Sequence, residues 1–219
     1  MALRFMDSLD LYADAADAES AGGWSRSGTP NMDVNTSNGR FGGGCFQGSD
    51  DNNYWHRGEN AAPGETLIIA FAYYWEASFS GFDHIFRIYA SNGFPLFNLE
   101  LSDGGVLRAS GNSGADFDSG SVMSAGAWNW VEVKVYLGTN SSTGTWEVKV
   151  NGSTEISSTG RDTHNGNNAT QYRFSGTDDT WRFDDIVIMD DTGSTMNDFI
   201  GDARINTLAA DGDGTTTDW

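Results

Sequence analysis

Every second residue is apolar in two neighbouring stretches of this chain, and that period of two limits its fold more than any other feature. From Trp128 to Leu137, Val131, Val133, Val135 and Leu137 share one face, while Glu132, Lys134 and Tyr136 share the other. In the stretch from Trp146 to Val150, Trp146, Val148 and Val150 alternate with Glu147 and Lys149. Successive side chains of a strand point to opposite faces, so this is the pattern of strands with one face in a core. The segment between them, GTNSSTGT at 138–145, is rich in turn formers and predicts a hairpin. Asn151-Gly152 is the favoured dipeptide of a second tight turn.

The run from Thr66 to Trp75 is apolar on both faces, which predicts a central strand covered on both sides. Further strands are expected over Arg40 to Phe46, His84 to Ala90, Pro95 to Leu101, Val106 to Arg108, Gln171 to Ser175 and Trp181 to Met189. Asp7 to Glu19 has some helical character without a capping box, and Gly22-Gly23 would end it. Asp198 to Ala203 fits one short helical turn. The 28 glycines supply the turns such a fold needs, and 219 residues suit one large all-β domain. The expected architecture is an all-β, two-sheet antiparallel sandwich over residues 1–191. Residues 192–219 form a C-terminal extension packing on the sandwich or on a partner, with Trp219 as a candidate anchor.

The charge balance narrows the partners. Against 31 Asp and Glu stand 12 Lys and Arg, a net charge of −19 that repels nucleic acid and anionic membranes. It fits a solvated surface, a high-salt environment, bound cations or a basic partner. Cys45 is the sole cysteine, so no intramolecular disulfide forms; it reads as a small buried hydrophobe. No run approaches the roughly 18 apolar residues of a membrane span. The N-terminal MALRFMDSLDLY has no apolar core or cleavage site of a signal peptide, so synthesis in a cytoplasm is expected. Four Asn-x-Ser/Thr sequences, at Asn35, Asn140, Asn151 and Asn168, read as polar turns.

The order of strands carries a resemblance. Trp128 to Leu137, Trp146 to Gly152 and the late Phe183 to Asp190 run (FDDIVIMD) resemble the concanavalin A-like, laminin-G-like jelly roll of lectins. The C-terminal stretch 181–219 is similar to a segment that follows lectin-like domains in tailed-bacteriophage structural proteins. The matching residues are Asp184, Asp185, Gly193, Asn197, Phe199, Gly201, Asp202, Arg204, Gly212 and Trp219. The chain departs from that pattern at Ala209-Ala210, where a proline is usual. The resemblance implies a non-enzymatic virion structural protein: a capsid decoration, head fibre or tail-associated subunit. It would assemble in the host cytoplasm as a homo-oligomer, a trimer by expectation, against other virion proteins. The alternative is a carbohydrate-binding adhesion module for host surface glycans.

Catalytic signatures are absent from the sequence. Hydrolases of this fold carry paired acids in an E-x-D-x-x-E run that places two carboxylates in one cleft, and no such run occurs. His56, His84 and His164 are scattered, without a Ser or Cys partner in a recognisable context. The expected chemistry is therefore binding. Lectin-like jelly rolls often hold Ca²⁺, and the candidate ligands are Asp7 in the first strand with Asp184 and Asp185 in a late strand, which the resemblance places side by side. Asp184 and Asp185, being adjacent, are expected on opposite faces of their strand. Asp211-Gly212-Asp213-Gly214 and Asp50-Asp51-Asn52-Asn53 are weaker calcium candidates. For sugar stacking the candidates are Tyr54, Trp55 and His56.

Overall fold

The computed structural model describes residues 3–28, 31–50, 53–76, 79–112, 116–178 and 180–206. In chain order, β1 (Leu3–Asp7), helix α1 (Ala15–Ala21), β2 (Ser25–Ser27), β3 (Met32–Asn35), β4 (Cys45–Gly48) and β5 (Tyr54–Arg57) precede the long strand β6 (Thr66–Trp75). Then follow β7 (Phe82–Ala90), β8 (Pro95–Ser102), β9 (Val106–Gly111), β10 (Asp116–Ser121) and β11 (Asn129–Tyr136). The last four are β12 (Gly144–Val150), β13 (Ser153–Arg161), β14 (Ala169–Ser175) and β15 (Trp181–Asp190). Two antiparallel sheets result, making the chain an all-β jelly-roll sandwich. The eight-stranded sheet runs β13-β12-β11-β6-β15-β4-β3, with β1 also on β15. The seven-stranded sheet runs β10-β9-β8-β7-β14-β5-β2.

The expected hairpin forms with Val131 opposite Val150 and Val135 opposite Trp146. Its second turn works because Asn151 (φ 49°) and Gly152 (φ 86°) both adopt the left-handed conformation that such a turn requires. β6 is the central strand the sequence predicts. Its Leu67, Ile69, Phe71 and Tyr73 enter the core between the sheets. There Phe71 meets Phe86, Phe174 and Phe183 at ring separations of 5.7, 5.6 and 5.3 Å. Truncating such a buried phenylalanine to alanine costs about 3–5 kcal/mol.

The other face of β6 carries Ile68, Ala70 and Ala72, and these join Trp130, Val187 and Met189 in a second apolar cluster. Ile200, Ala203 and Ile205 of the C-terminal extension lie over it. Backbone groups of the extension are tied down at three points. Glu132 Oε1 accepts the amides of Ile200 (2.8 Å) and Gly201 (3.0 Å), and Asp185 Oδ1 accepts that of Ile205 (2.8 Å). Arg40 donates to the Ala203 carbonyl at 3.0 Å and pairs with Asp202. Residues 198–203 are not helical: the amides of Ile200 and Gly201 bond Glu132 of the sheet, and that of Phe199 bonds the Asp198 side chain.

Two further expectations shift. The helix begins only at its cap Asp14, whose carboxylate accepts the Asp17 amide at 2.9 Å; Leu3–Asp7 instead pairs with β15. Strand β4 starts at Cys45, not Arg40, because the glycines before it form a loop pressed on Leu9 and Asp10. A Cβ on Gly43 would sit 1.7 Å from Asp10 Oδ1, and one on Gly44 2.3 Å from the Leu9 carbonyl. Cys45 is fully buried, and burial pushes its thiol up to about 12, so it is an inert core residue. Among the described residues no helix is long and apolar enough to cross a membrane.

Candidate functional site

Strands of the seven-stranded sheet alternate like those of the hairpin, but their solvent sides differ in kind. Inward go Trp55 of β5, Tyr172 and Phe174 of β14, Phe86 and Ile88 of β7, and Phe97 and Leu99 of β8. The outward residues lie in register across neighbouring strands: His56 opposite Arg173, Arg173 opposite Arg87, Arg87 opposite Asn98, and Asn98 opposite Ser110. Ser25 of β2 extends this row beyond His56. A polar row thus crosses six strands, spaced by about 4.8 Å per strand.

Arginines dominate the row. The Arg173 guanidinium lies 3.7 Å from the Tyr89 ring centre and 4.4 Å from that of Tyr54, with its Nε donating to Gln171 at 2.7 Å. Cation–π contact holds the guanidinium without neutralising it. Arg87 donates to the Tyr89 hydroxyl at 3.1 Å, which leaves the phenol its own proton to give. Burial, with like-charged Arg173 beside it, lowers Arg87 from its usual range. Burial first, then Arg173, lowers the His56 imidazole also, so it is neutral at neutral pH. One row over, Arg108 holds Glu100 at 2.6 Å, and the His84 ring nitrogen lies 3.2 Å from the same carboxylate. Burial and Arg87 lower His84 despite this carboxylate. A groove of about 440 Å³ borders the row, lined by Ser25, His56, Gly58, Ser91, Thr170 and Gln171. Three arginines and two neutral histidines therefore share one face of a chain whose net charge is −19.

Of the stacking candidates, Tyr54 and His56 lie on this face, 5.6 Å apart between ring centres. Trp55 does not: it is fully buried and stacked on Phe46 at 4.0 Å, so no sugar reaches it. The alternation in Tyr54-Trp55-His56 dictates that split. The histidines read as scattered are not all apart, since His56 and His84 share the outer face. Arg87, Tyr89, Arg108, Gln171 and Arg173 were missed. Their signal was present as polar alternation within the runs HIFRIYA, VLRAS and QYRFS.

The expected calcium ligands do not converge. Asp7 Oδ1 accepts the Leu9 amide at 2.8 Å, and its Oδ2 accepts Tyr12 Oη (2.7 Å) and Trp24 Nε1 (2.9 Å). Those donors fill the carboxylate with protons, where a cation needs free oxygens. Asp184 and Asp185, expected on opposite faces, line one small pocket of about 130 Å³ together with Asp10. A bulge brings this about: Asp185 takes φ 50° and the β15–β6 register slips between Asp184 and Val187. Their charge is met by protein groups, namely the Arg40 and Asp185 amides on Asp184 and the Arg40 side chain 3.7 Å from Asp185. Among the described residues no set of three His, Cys, Asp or Glu side chains fits a metal ion. Asp51, Asn52 and the run 211–214 lie outside the described residues, as does Trp219.

Burial, reinforced by Asp185 and Asp10, raises Asp184 to about 7. A folded value above the unfolded one stabilises at low pH and is lost as pH climbs through it. The lowered histidines act oppositely, but only below about pH 6.5. The protein should therefore lose stability as pH rises from about 6.5 to 8, by about 1 kcal/mol or slightly less, the last part of a loss that begins above the ordinary aspartate value. Urea unfolding across that interval checks it; a flat or rising midpoint refutes the assignment.

No protein-family model matches the sequence, and no curated protein is similar to it. Its fold does have solved counterparts. An endo-β-1,4-glucuronan lyase from the fungus Trichoderma reesei aligns with a TM-score of 0.61 at 13% identity, over 85% of this chain and 95% of the lyase. An alginate lyase in complex with an alginate trisaccharide aligns at 0.58 and 13% identity, over 84% and 96%. A cellulose-induced protein aligns at 0.52 and 17% identity, over 75% and 90%. At such identities the likeness is one of fold. It nonetheless corrects the expectation of a non-enzymatic virion subunit: the matching structures include two polysaccharide lyases, and a phage origin has no support among them. That expectation leaned on residues 181–219, of which Ile200, Gly201, Ala203 and Ile205 are clamped to the back of the eight-stranded sheet by Arg40, Glu132 and Asp185.

Proposed function

We propose that the chain binds an acidic polysaccharide across the outer face of its seven-stranded sheet and cleaves it by β-elimination. The observation that carries this reading is the row His56–Arg173–Arg87, two adjacent guanidiniums beside a neutral imidazole on an otherwise acidic protein. A guanidinium presents its donors as a planar fork that matches a carboxylate, and each uronate residue offers one. Glucuronan and alginate lyases among the solved structures of similar fold support the substrate class.

The chemistry follows from the same groups. In the reaction a base takes the proton from the carbon bearing the carboxylate. That C–H electron pair becomes a C=C bond, and the neighbouring glycosidic C–O bond breaks, its oxygen leaving with a proton. Negative charge builds on the carboxylate as the proton departs, and Arg173 with Arg87 stabilises it in place. His56, neutral through burial and Arg173, is the base. The Tyr89 phenol, which accepts from Arg87 and keeps its proton, is the acid for the leaving oxygen.

Incubating the protein with polyglucuronate and with alginate tests this by ultraviolet absorbance of the new double bond. His56→Ala should slow product formation by about 10²–10⁴-fold. Because His56 is lowered, the rate should hold until pH falls below the ordinary imidazole range, about 6.5. Retention on a polyuronate matrix without absorbance would reduce the function to binding. Neither retention nor absorbance would reject the reading.

A further inference from the structure

The eight-stranded sheet also has an outer face, and the described residues of the C-terminal extension, 192–206, cover part of it. Over Ile68, Ala70 and Ala72 the cover is apolar, as described above. On β11 and β12 the described residues of the extension reach Glu132, Lys134 and Lys149, and toward Thr66 and Tyr136 these described residues leave a groove. Thr66 of β6, Tyr136 of β11, Thr145 of β12 and Thr159 of β13 stand in register as one cross-strand row. Lys134, Glu147 and Ser157 form the next row. Together they floor a groove of about 440 Å³. Thr143 of the turn before β12 also lines it.

From this groove we infer a second binding site, for an uncharged glycan chain. Its hydroxyls are unspent: the side chains of Thr66, Tyr136, Thr145, Ser157 and Thr159 have no hydrogen-bond partner among the described residues. Thr66 is a buried residue, 8% exposed, that lines the groove. Other threonines of the sheet's rim are used, as Thr143 is by the Thr139 amide and Thr163 by the Gly138 amide, so the free set is local. Hydroxyls that both donate and accept, repeated at the strand spacing of about 4.8 Å, match a polymer bearing hydroxyls on every ring. The Tyr136 ring offers the flat apolar surface on which a sugar face rests.

The charges exclude an ionic ligand. Lys134 is paired with Asp198 at 3.0 Å, and Glu147 with Lys149 at 3.8 Å and Thr154 at 2.8 Å. One cation and one anion line the groove, each already compensated, where the opposite sheet concentrates arginine. The two faces therefore recognise different chemistry: acidic residues on one, neutral residues on the other. A protein so built holds to a neutral polymer while it acts on an acidic one laid down beside it.

Affinity electrophoresis of the full chain tests this, with gels containing hydroxyethyl cellulose, arabinoxylan, galactomannan, soluble starch or polyglucuronate. At least one neutral polymer should retard the wild type. Tyr136→Ala should weaken that retardation about tenfold or more while leaving retardation by polyglucuronate unchanged. Thr145→Val, isosteric and lacking the hydroxyl, should weaken it too, and an unchanged melting temperature shows that neither variant has unfolded. No retardation of the wild type by any neutral polymer overturns the inference, as does equal retardation of the wild type and Tyr136→Ala. Failure of polyglucuronate to retard the wild type would count against the first site and leave this one standing.

Discussion

Arg173→Ala should lower affinity for polyglucuronate by about 10–100-fold, since a hydrogen-bonded charge contact contributes about 1.5–3 kcal/mol. Arg173 sits at the middle of the polar row, between His56 and Arg87, with a tyrosine ring on either side. Its removal takes away the cation yet leaves the sheet beneath intact, because Tyr172 and Phe174, not Arg173, carry the packing of β14. Calorimetric titration at low and high salt reads the effect: the wild type should lose affinity steeply with salt, and the variant less so. Arg173→Lys keeps the charge without the planar fork, so it should fall between the two. A separate readout follows from the neighbour. With Arg173 gone, one of the two causes that lower His56 disappears, and nuclear magnetic resonance should show the imidazole titrating at higher pH. Unchanged binding together with an unchanged His56 would remove this face from consideration.

The parts of this site that the sequence revealed and the parts it hid divide along one physical line. Within a strand, the period of two is local, and it told inward from outward residues in β11 and β12 before any coordinates. Applied to YWHR it also separates Trp55 from Tyr54 and His56. Which strands lie side by side is not local. β14 pairs with β5 on one side and β7 on the other, and only that order turns Arg173, Arg87 and His56 into a row. A single sequence carries no signal for such long-range pairing. Asp184 and Asp185 illustrate the converse. Adjacency placed them on opposite faces, a sound rule for a regular strand, and a bulge with a left-handed aspartate overrode it. Nothing in FDDIVIMD marks the bulge except that Asp is among the few residues to tolerate that conformation. The seat of the extension on the sheet depends on Glu132, which the period of two places with Lys134 on the face away from the core, yet which is buried.

That glutamate carries the second large expected effect. Glu132→Ala should destabilise the protein by about 2–4 kcal/mol, because two part-buried amides, those of Ile200 and Gly201, lose their shared charged acceptor. Glu132 is 1% exposed and stands where the extension crosses β11. Once those amides lift, Ile200, Ala203 and Ile205 leave the cluster around Ile68 and Trp130, and an apolar face opens to solvent. The loss should thus be seen first locally, as rapid hydrogen exchange at Ile200, Gly201 and Ile205, and then as a lower urea midpoint. Glu132→Gln distinguishes charge from acceptor. Its carbonyl can replace Oε1, and its amide group can occupy the position of Oε2, which has no hydrogen-bond partner among the described residues. The glutamine variant should therefore cost under about 1 kcal/mol. If glutamine proves as damaging as alanine, the charge on Glu132 matters in its own right, and Lys134 and Lys149 on the flanking positions are the cations it would be answering. If alanine costs less than about 0.5 kcal/mol, the value typical of a surface substitution, the extension is not clamped through Glu132, and the apolar cluster alone keeps it in place.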